Sequence, residues 1–173
     1  MALLDTILKR RSVRRYTDET IPEEKLQKIL QAGLFAPTSR NLKPCTFYLV
    51  KDKALLAQLS EVKKAGGSML KQSSAAIVVS GNSDAADTWI EDCSIALSFM
   101  HLMAAEQEVG SCWCQIHLRT GADGEDAETK VCKLLQIPDS ERIVGILALG
   151  MAQEALKPYE ETEADWRKVI RIG

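Results

Sequence analysis

The chain has 173 residues, 46% of them hydrophobic and 27% charged, with a formal net charge of -2. At roughly 150 residues per domain that length predicts a single domain over 1–173. The slight negative balance excludes general attraction to nucleic acid or to an anionic membrane, which needs a surplus of positive field. No apolar run approaches the roughly 18–20 residues that span a bilayer. The arginine-rich, amphipathic stretch Met1–Tyr16 contains Asp5 and runs straight into folded-looking sequence, so the expected location is the cytoplasm.

Leu3, Leu4, Ile7 and Leu8 recur at helical spacing and predict a first helix leading into the basic stretch Lys9–Arg15. A second helix is expected from Ile21-Pro22-Glu23-Glu24, with proline in the first turn and acids against the amino-end dipole. Its buried face is read as Leu26, Ile29, Leu30 and Leu34, and Pro37 stops it. Cys45–Val50 reads as a strand, and Leu55, Leu56, Leu59 and Val62 as a third helix. Ala75–Ser80 (AAIVVS) is almost unbroken in its apolar character, which predicts a central strand.

The segment Asp87–Glu108 predicts a helix apolar around nearly its whole circumference. Such a helix must be buried on all sides, and in a domain this small that points to a second copy covering what the helix's own sheet does not. Ser111–Ile116 is expected as a third strand, Asp126–Leu135 as a helix ended before Pro138, and Ile143–Leu149 as a fourth strand. From Met151 onward Pro158, Tyr159 and Trp166 show little periodicity, which predicts a tail laid along another surface. Helices and strands intermix without strict alternation, so the fold class is α+β.

Five cysteines (Cys45, Cys93, Cys112, Cys114 and Cys132) are odd in number and scattered, as free thiols of a reducing compartment would be. Cys112 and Cys114 lie closer than the usual metal-ligand spacing and lack a nearby histidine cluster, so no metal site is expected.

Three stretches carry candidate chemistry. Arg10-Arg11-Ser12-Val13-Arg14 offers forked, permanently charged donors and a short hydroxyl, the set that a phosphate monoester asks for; basic residues at a helix carboxyl end also satisfy the dipole alone. Ala36–Cys45 (APTSRNLKPC) frames short hydrogen-bonding side chains between two prolines, either as a ligand-facing loop or as an ordinary helix-to-strand connection. In Glu106–Ile116, Gly110 reads first as a helix-terminating residue with φ > 0 and Trp113 as core. The functional alternative places the strand-end backbone beside a ligand ring.

Together with EDCSIA at 91–96, the stretches RRSVR at 10–14, APTSRNLKPC at 36–45 and EVGSCW at 108–113 resemble, in this order, the motifs of the nitroreductase family. The resemblance spans residues from about 2 to about 160. It implies a mixed, largely antiparallel sheet flanked by helices, in an intertwined homodimer with FMN at the interface. By resemblance, Arg10, Arg11, Ser12 and Arg14 contact the phosphate and pyrimidine from one subunit, and Pro37, Thr38, Ser39 and Asn41 belong to the loop laid against the flavin by the other. Cys114, Gln115 and Ile116 bring backbone beside flavin N5. Gly150 and Lys157 approach from the carboxyl-terminal side. Lys43 and Cys45 replace the usual Gln and Trp, implying a more basic and more open pocket, with Arg14 or Lys43 as electrostatic support near the ring. The implied activity takes hydride from NADH or NADPH, via flavin N5, to a small organic acceptor such as a nitroaromatic, a quinone or an enone. A non-catalytic flavin-binding sensor or storage protein, a dehalogenase-like or flavin-destroying relative, and a dimeric scaffold without flavin are the alternatives.

Overall fold

In the computed structural model, which describes residues 2–173, strands β1 (Cys45–Val50), β2 (Ala75–Asn82), β3 (Gly110–Gln115) and β4 (Glu141–Gly150) form one sheet in the order β1-β2-β4-β3. Helices α1 (Leu3–Lys9), α2 (Glu23–Leu34), α3 (Lys53–Leu59), α4 (Trp89–Glu106) and α5 (Ala127–Leu135) flank it. All three strand pairings are antiparallel. The parallel component of the expected mixed sheet enters through an isolated bridge between Ser12 and Ser111.

The unbroken apolar character of β2 has a direct cause: both of its faces are covered. Successive side chains point to opposite faces, so Ala76 and Val78 join one core layer with Leu56, Leu59 and Val131, while Ile77 and Val79 join the other with Leu26, Ile29, Leu97 and Met100. β4 divides in the same way, Ile146 and Ala148 on the first layer and Leu147 and Leu149 on the second. Cys112 and Cys114, two apart on β3, both enter the first layer.

α4 lies across the second layer. Its buried residues include Cys93, Ala96, Leu97, Met100 and Ala104, at three- and four-residue spacing. A Cβ at Gly33 would stand 2.8 Å from Met100 Sδ, so glycine allows α2 and α4 to approach. On the other side of α4, Ile95 and Phe99 are exposed, and an apolar groove of about 430 Å³ runs between Phe99, Leu102 and Met103 and the α1 residues Leu3 and Ile7. The all-round apolar helix is therefore buried on one side only within a single chain.

α1 ends at Lys9, as expected, and residues 10–16 continue as extended chain with bridges at Ser12 and Tyr16. Other local expectations are corrected. Leu34 is 64% exposed, because the helix turns Gly33 rather than Leu34 toward α4. The left-handed residue after α4 is Glu108, at φ 58°, and Gly110 serves close packing: a Cβ there would meet Val13 Cγ1 at 2.9 Å and the Gly150 carbonyl at 3.0 Å. The tail lies along α1 and the basic segment. Its Gln153 and Tyr159 N–H groups donate to the Arg15 and Leu8 carbonyls.

Candidate functional site

Because α1 stops at Lys9, the RRSVR segment leaves the helix as extended chain and runs beside the start of β3, where Val13 N–H donates to the Ser111 carbonyl at 2.9 Å. Arg10, Arg11, Ser12 and Arg14 thereby line one cleft of about 570 Å³, closed on its far side by Leu156 and Tyr159 of the tail. Three of its arginines are held by neutral acceptors. Arg10 Nη1 meets His101 Nε2 at 3.0 Å, Arg11 Nη1 bonds the Lys157 carbonyl, and Arg14 Nη1 donates to the Ser12 carbonyl at 3.3 Å. Arg11 also sits 4.4 Å from the centroid of the Tyr159 ring. Among the described residues none of these three guanidiniums pairs with a carboxylate; in this cleft only Arg15 does, with Glu154 at 4.0 Å between two exposed side chains. The cleft therefore carries uncompensated positive charge on fixed donors, which suits a multiply charged anion.

His101 is buried, and burial together with the Arg10 charge lowers its pKa from 6.5 to about 4, so the ring is neutral at physiological pH. Its Nδ1 lies 2.6 Å from Ser111 Oγ.

The loop 37–43 is a second, separate structure. A short turn over Ser39–Asn41 closes with Asn41 and Leu42 N–H groups on the Thr38 and Ser39 carbonyls, and Lys43 N–H on Thr38 Oγ1 at 3.0 Å. Arg40, Asn41 and Lys43 all have positive φ, 52°, 55° and 50°, a concentration of strained backbone that needs external support. That support is Asp92, 2% exposed in the first turns of α4, whose Oδ1 accepts from Ser39 N–H at 2.9 Å. Arg40 pairs with Asp87 just before the same helix. Pro37, Asn41 and Lys43 stand exposed at the surface, and Thr38 and Ser39 are half-buried. Cys45, following the loop, lies 3.4 Å from Cys93 sulfur to sulfur; that contact lowers the Cys45 pKa against the opposing effects of burial and Asp92.

The two groups do not meet within one chain. One contacts α4 at Asp92 and the other at His101, nine residues further on, about 13 Å along the axis at 1.5 Å per residue. At the far end of β3, Cys114 and Ile116 are core residues, and the Ile116 N–H donates to the Val144 carbonyl at 3.1 Å. The Gln115 amide accepts from Trp113 Nε1 and donates to the His117 carbonyl, while its own carbonyl accepts from Lys63 Nζ. Gly150 packs under Tyr16, whose ring would stand 2.6 Å from an added Cβ. Lys157 is exposed beyond the cleft rim, paired with Glu160 at 2.7 Å.

The family model described as "Nitroreductase family" matches residues 7–73 and 58–151 of this chain, a span that contains the RRSVR segment and the 37–43 loop. The chain belongs to the nitroreductase family. It is 34% identical over 161 residues, 91% of this chain and 89% of the relative, to an Archaeoglobus fulgidus protein whose name, NADH dehydrogenase/NAD(P)H nitroreductase, is itself provisional. The solved structure of an FMN-dependent nitroreductase from Clostridium difficile R20291 is similar at a TM-score of 0.95 and 37% identity, covering 98% of this chain and 99% of that one. A protein from Parabacteroides distasonis with the same provisional name matches at a TM-score of 0.89 and 30% identity, over 99% and 98% of the two chains.

Within this nitroreductase fold, sequence reading missed the residues that hold the two groups in place. Asp92 lies inside EDCSIA, where the motif alone gives it no role, and His101 lies in a largely apolar helix. A buried polar residue in such a helix demands a hydrogen-bond partner, and that demand was the available signal.

Proposed function

We propose that this nitroreductase-family protein is an FMN-dependent oxidoreductase, using NADH or NADPH to reduce a small organic acceptor such as a nitroaromatic, a quinone or an enone. The observation that carries the reading is the cleft in which Arg10, Arg11 and Arg14, none of them paired with a carboxylate among the described residues, converge with Ser12. An FMN phosphate is a monoester with close to two negative charges at neutral pH. The residues fit that group, since forked guanidiniums and a serine hydroxyl match its oxygens in charge and in donor geometry.

When bound, FMN supplies hydride acceptance and donation at its N5 position, chemistry that belongs to the cofactor. The chain's own residues bind and orient. Arg10, Arg11 and Ser12 take the phosphate end, and Arg14 lies further along the extended segment toward the ring. Pro37, Thr38, Ser39, Asn41 and Lys43 come from a second copy of the chain, because in one chain this loop stands apart from the cleft on the same helix. The open apolar face of α4 with Leu3 and Ile7 is the surface through which that second copy docks, in a cytoplasmic homodimer whose whole chain, 1–173, acts as one FMN-binding domain. Gln115 backbone at the end of β3, with Cys114 and Ile116 buried behind it, borders the ring, and Gly150 at the end of β4 and Lys157 of the tail border the phosphate side.

The visible spectrum of the purified protein tests the cofactor, and anaerobic bleaching by NADH or NADPH followed by recovery on adding a nitroaromatic or a quinone tests the reaction. Bound flavin that neither nicotinamide bleaches would favour a storage or sensing protein. An Arg10→Ala/Ser12→Ala double variant that kept full FMN occupancy would overturn the phosphate assignment.

A further inference from the structure

His101 is a polar residue that the core does not need. It lies on the buried side of α4, 7% exposed, among Leu97, Met100 and Ala104, where a leucine would pack without any hydrogen-bonding demand. Both of its ring nitrogens are engaged, toward residues 91 and 10 positions away in sequence. A guanidinium only donates, so Nε2, 3.0 Å from Arg10 Nη1, holds the lone pair. Nδ1 then carries the hydrogen and donates to Ser111 Oγ at 2.6 Å. Ser111 in turn accepts the Val13 N–H on its carbonyl, so one residue of β3 fixes both the histidine and the backbone of the basic segment. The relay occupies one nitrogen of the Arg10 fork, and Arg10 lines the cleft.

We propose that His101 is a positioning residue for the anion site: as a buried neutral acceptor tied to Ser111, it holds the Arg10 guanidinium facing the cleft and so sets the protein's preference for a phosphorylated flavin over the same flavin without phosphate. The inference rests on the FMN reading above and adds a residue to it. An arginine left to sample its rotamers must be ordered when the phosphate arrives, and a guanidinium anchored beforehand avoids that cost. The tautomer matters, because a ring protonated on Nε2 would present a donor to a donor. Arg10, which can only donate, selects the form with the lone pair on Nε2, and the Ser111 hydroxyl accepts the hydrogen that this leaves on Nδ1.

The test compares FMN with riboflavin, which share the ring and differ at the phosphate. Holoprotein loaded with either flavin is diluted, and the recovery of flavin fluorescence gives each dissociation constant. His101→Phe removes the acceptor while keeping a planar ring in the core; FMN binding is expected to weaken about tenfold, the scale of one hydrogen bond to a charged group, with riboflavin changed less than twofold. His101→Gln, whose amide oxygen restores an acceptor, is expected to recover most of the preference. Ser111→Ala, a smaller change, is expected to lose part of it, and it decides the matter should His101→Phe fail to fold. A wild-type protein that binds riboflavin as tightly as FMN would overturn the phosphate reading itself. A wild-type preference for FMN that persists undiminished in His101→Phe and Ser111→Ala, or equal weakening of both flavins, would overturn the role of His101 alone.

Discussion

Ser39 donates its backbone N–H to Asp92 Oδ1 at 2.9 Å, joining the strained 37–43 loop to the amino-terminal turns of α4 across 53 positions of sequence. Asp92 is buried and also accepts from Thr88 Oγ1 at 3.3 Å, so the carboxylate is satisfied from the helix side as well as from the loop. Its charge sits where the helix dipole favours an anion. Replacing it by alanine leaves the Ser39 N–H without its acceptor and frees three left-handed residues to relax. Asp92→Ala is expected to lose about 2 kcal/mol of stability, read from urea unfolding, and to weaken flavin binding. Asp92→Asn, which keeps one acceptor oxygen, should lose less than half as much. An alanine variant with unchanged stability would refute the anchoring role.

Gly150 offers a second way to disturb the site from a distance. An added Cβ would meet Tyr16 Cγ and Cδ1 at 2.6 Å, and those ring atoms lie too near the backbone to swing aside. The Tyr16 hydroxyl donates to the Val13 carbonyl at 2.8 Å, in the middle of the basic segment. Overpacking of this kind costs about 1–3 kcal/mol. Gly150→Ala is therefore expected to lower the urea midpoint and, through Tyr16 and Val13, to reduce FMN occupancy of the purified protein. Full occupancy together with a wild-type midpoint would contradict it.

Tyr159 holds the tail against the cleft, with Arg11 over its ring and its own N–H on the Leu8 carbonyl. A cation–π contact at an exposed site is worth about 0.5–1 kcal/mol, too little to move global stability far. Tyr159→Ala is expected to speed protease cleavage between residues 153 and 166 severalfold, with a fall of under about 1 kcal/mol in unfolding free energy. A tail cleaved at the wild-type rate would show that other contacts hold it.

The neutral His101 ring imposes a pH dependence whose sign follows from linkage. Its folded pKa, about 4, lies below the ordinary 6.5, so between those values the unfolded chain binds more protons than the folded one. Stability is fully present above pH 6.5, is lost as pH falls through the window, and levels off below pH 4. The full contribution is about 3 kcal/mol at 1.36 kcal/mol per pH unit. Urea titrations at pH 7, 5.5 and 4 should show the wild type losing more stability than His101→Gln, which has no group to titrate there. Parallel pH profiles for the two proteins would sink the prediction.

Much of this architecture is written locally. The alternation of Ala76 and Val78 against Ile77 and Val79, the helical spacing in α2 and the proline after it, and the clustering of Arg10, Arg11, Ser12 and Arg14 are properties of residues adjacent in the chain. Side-chain direction repeats every two residues in a strand and every 3.6 in a helix, so sequence alone determines these elements and most of their buried positions, Leu34 of α2 being the exception. The order β1-β2-β4-β3, the selection of Gly33 rather than Leu34 for the α4 contact, and the close packing of Gly110 and Gly150 depend on where distant segments come to lie. The same holds for the partners of Asp92 and His101, 53 and 91 residues away at Ser39 and Arg10. A buried polar side chain announces in the sequence that it needs a partner. Only the packed structure, by bringing donor and acceptor within about 3 Å, decides which one it has.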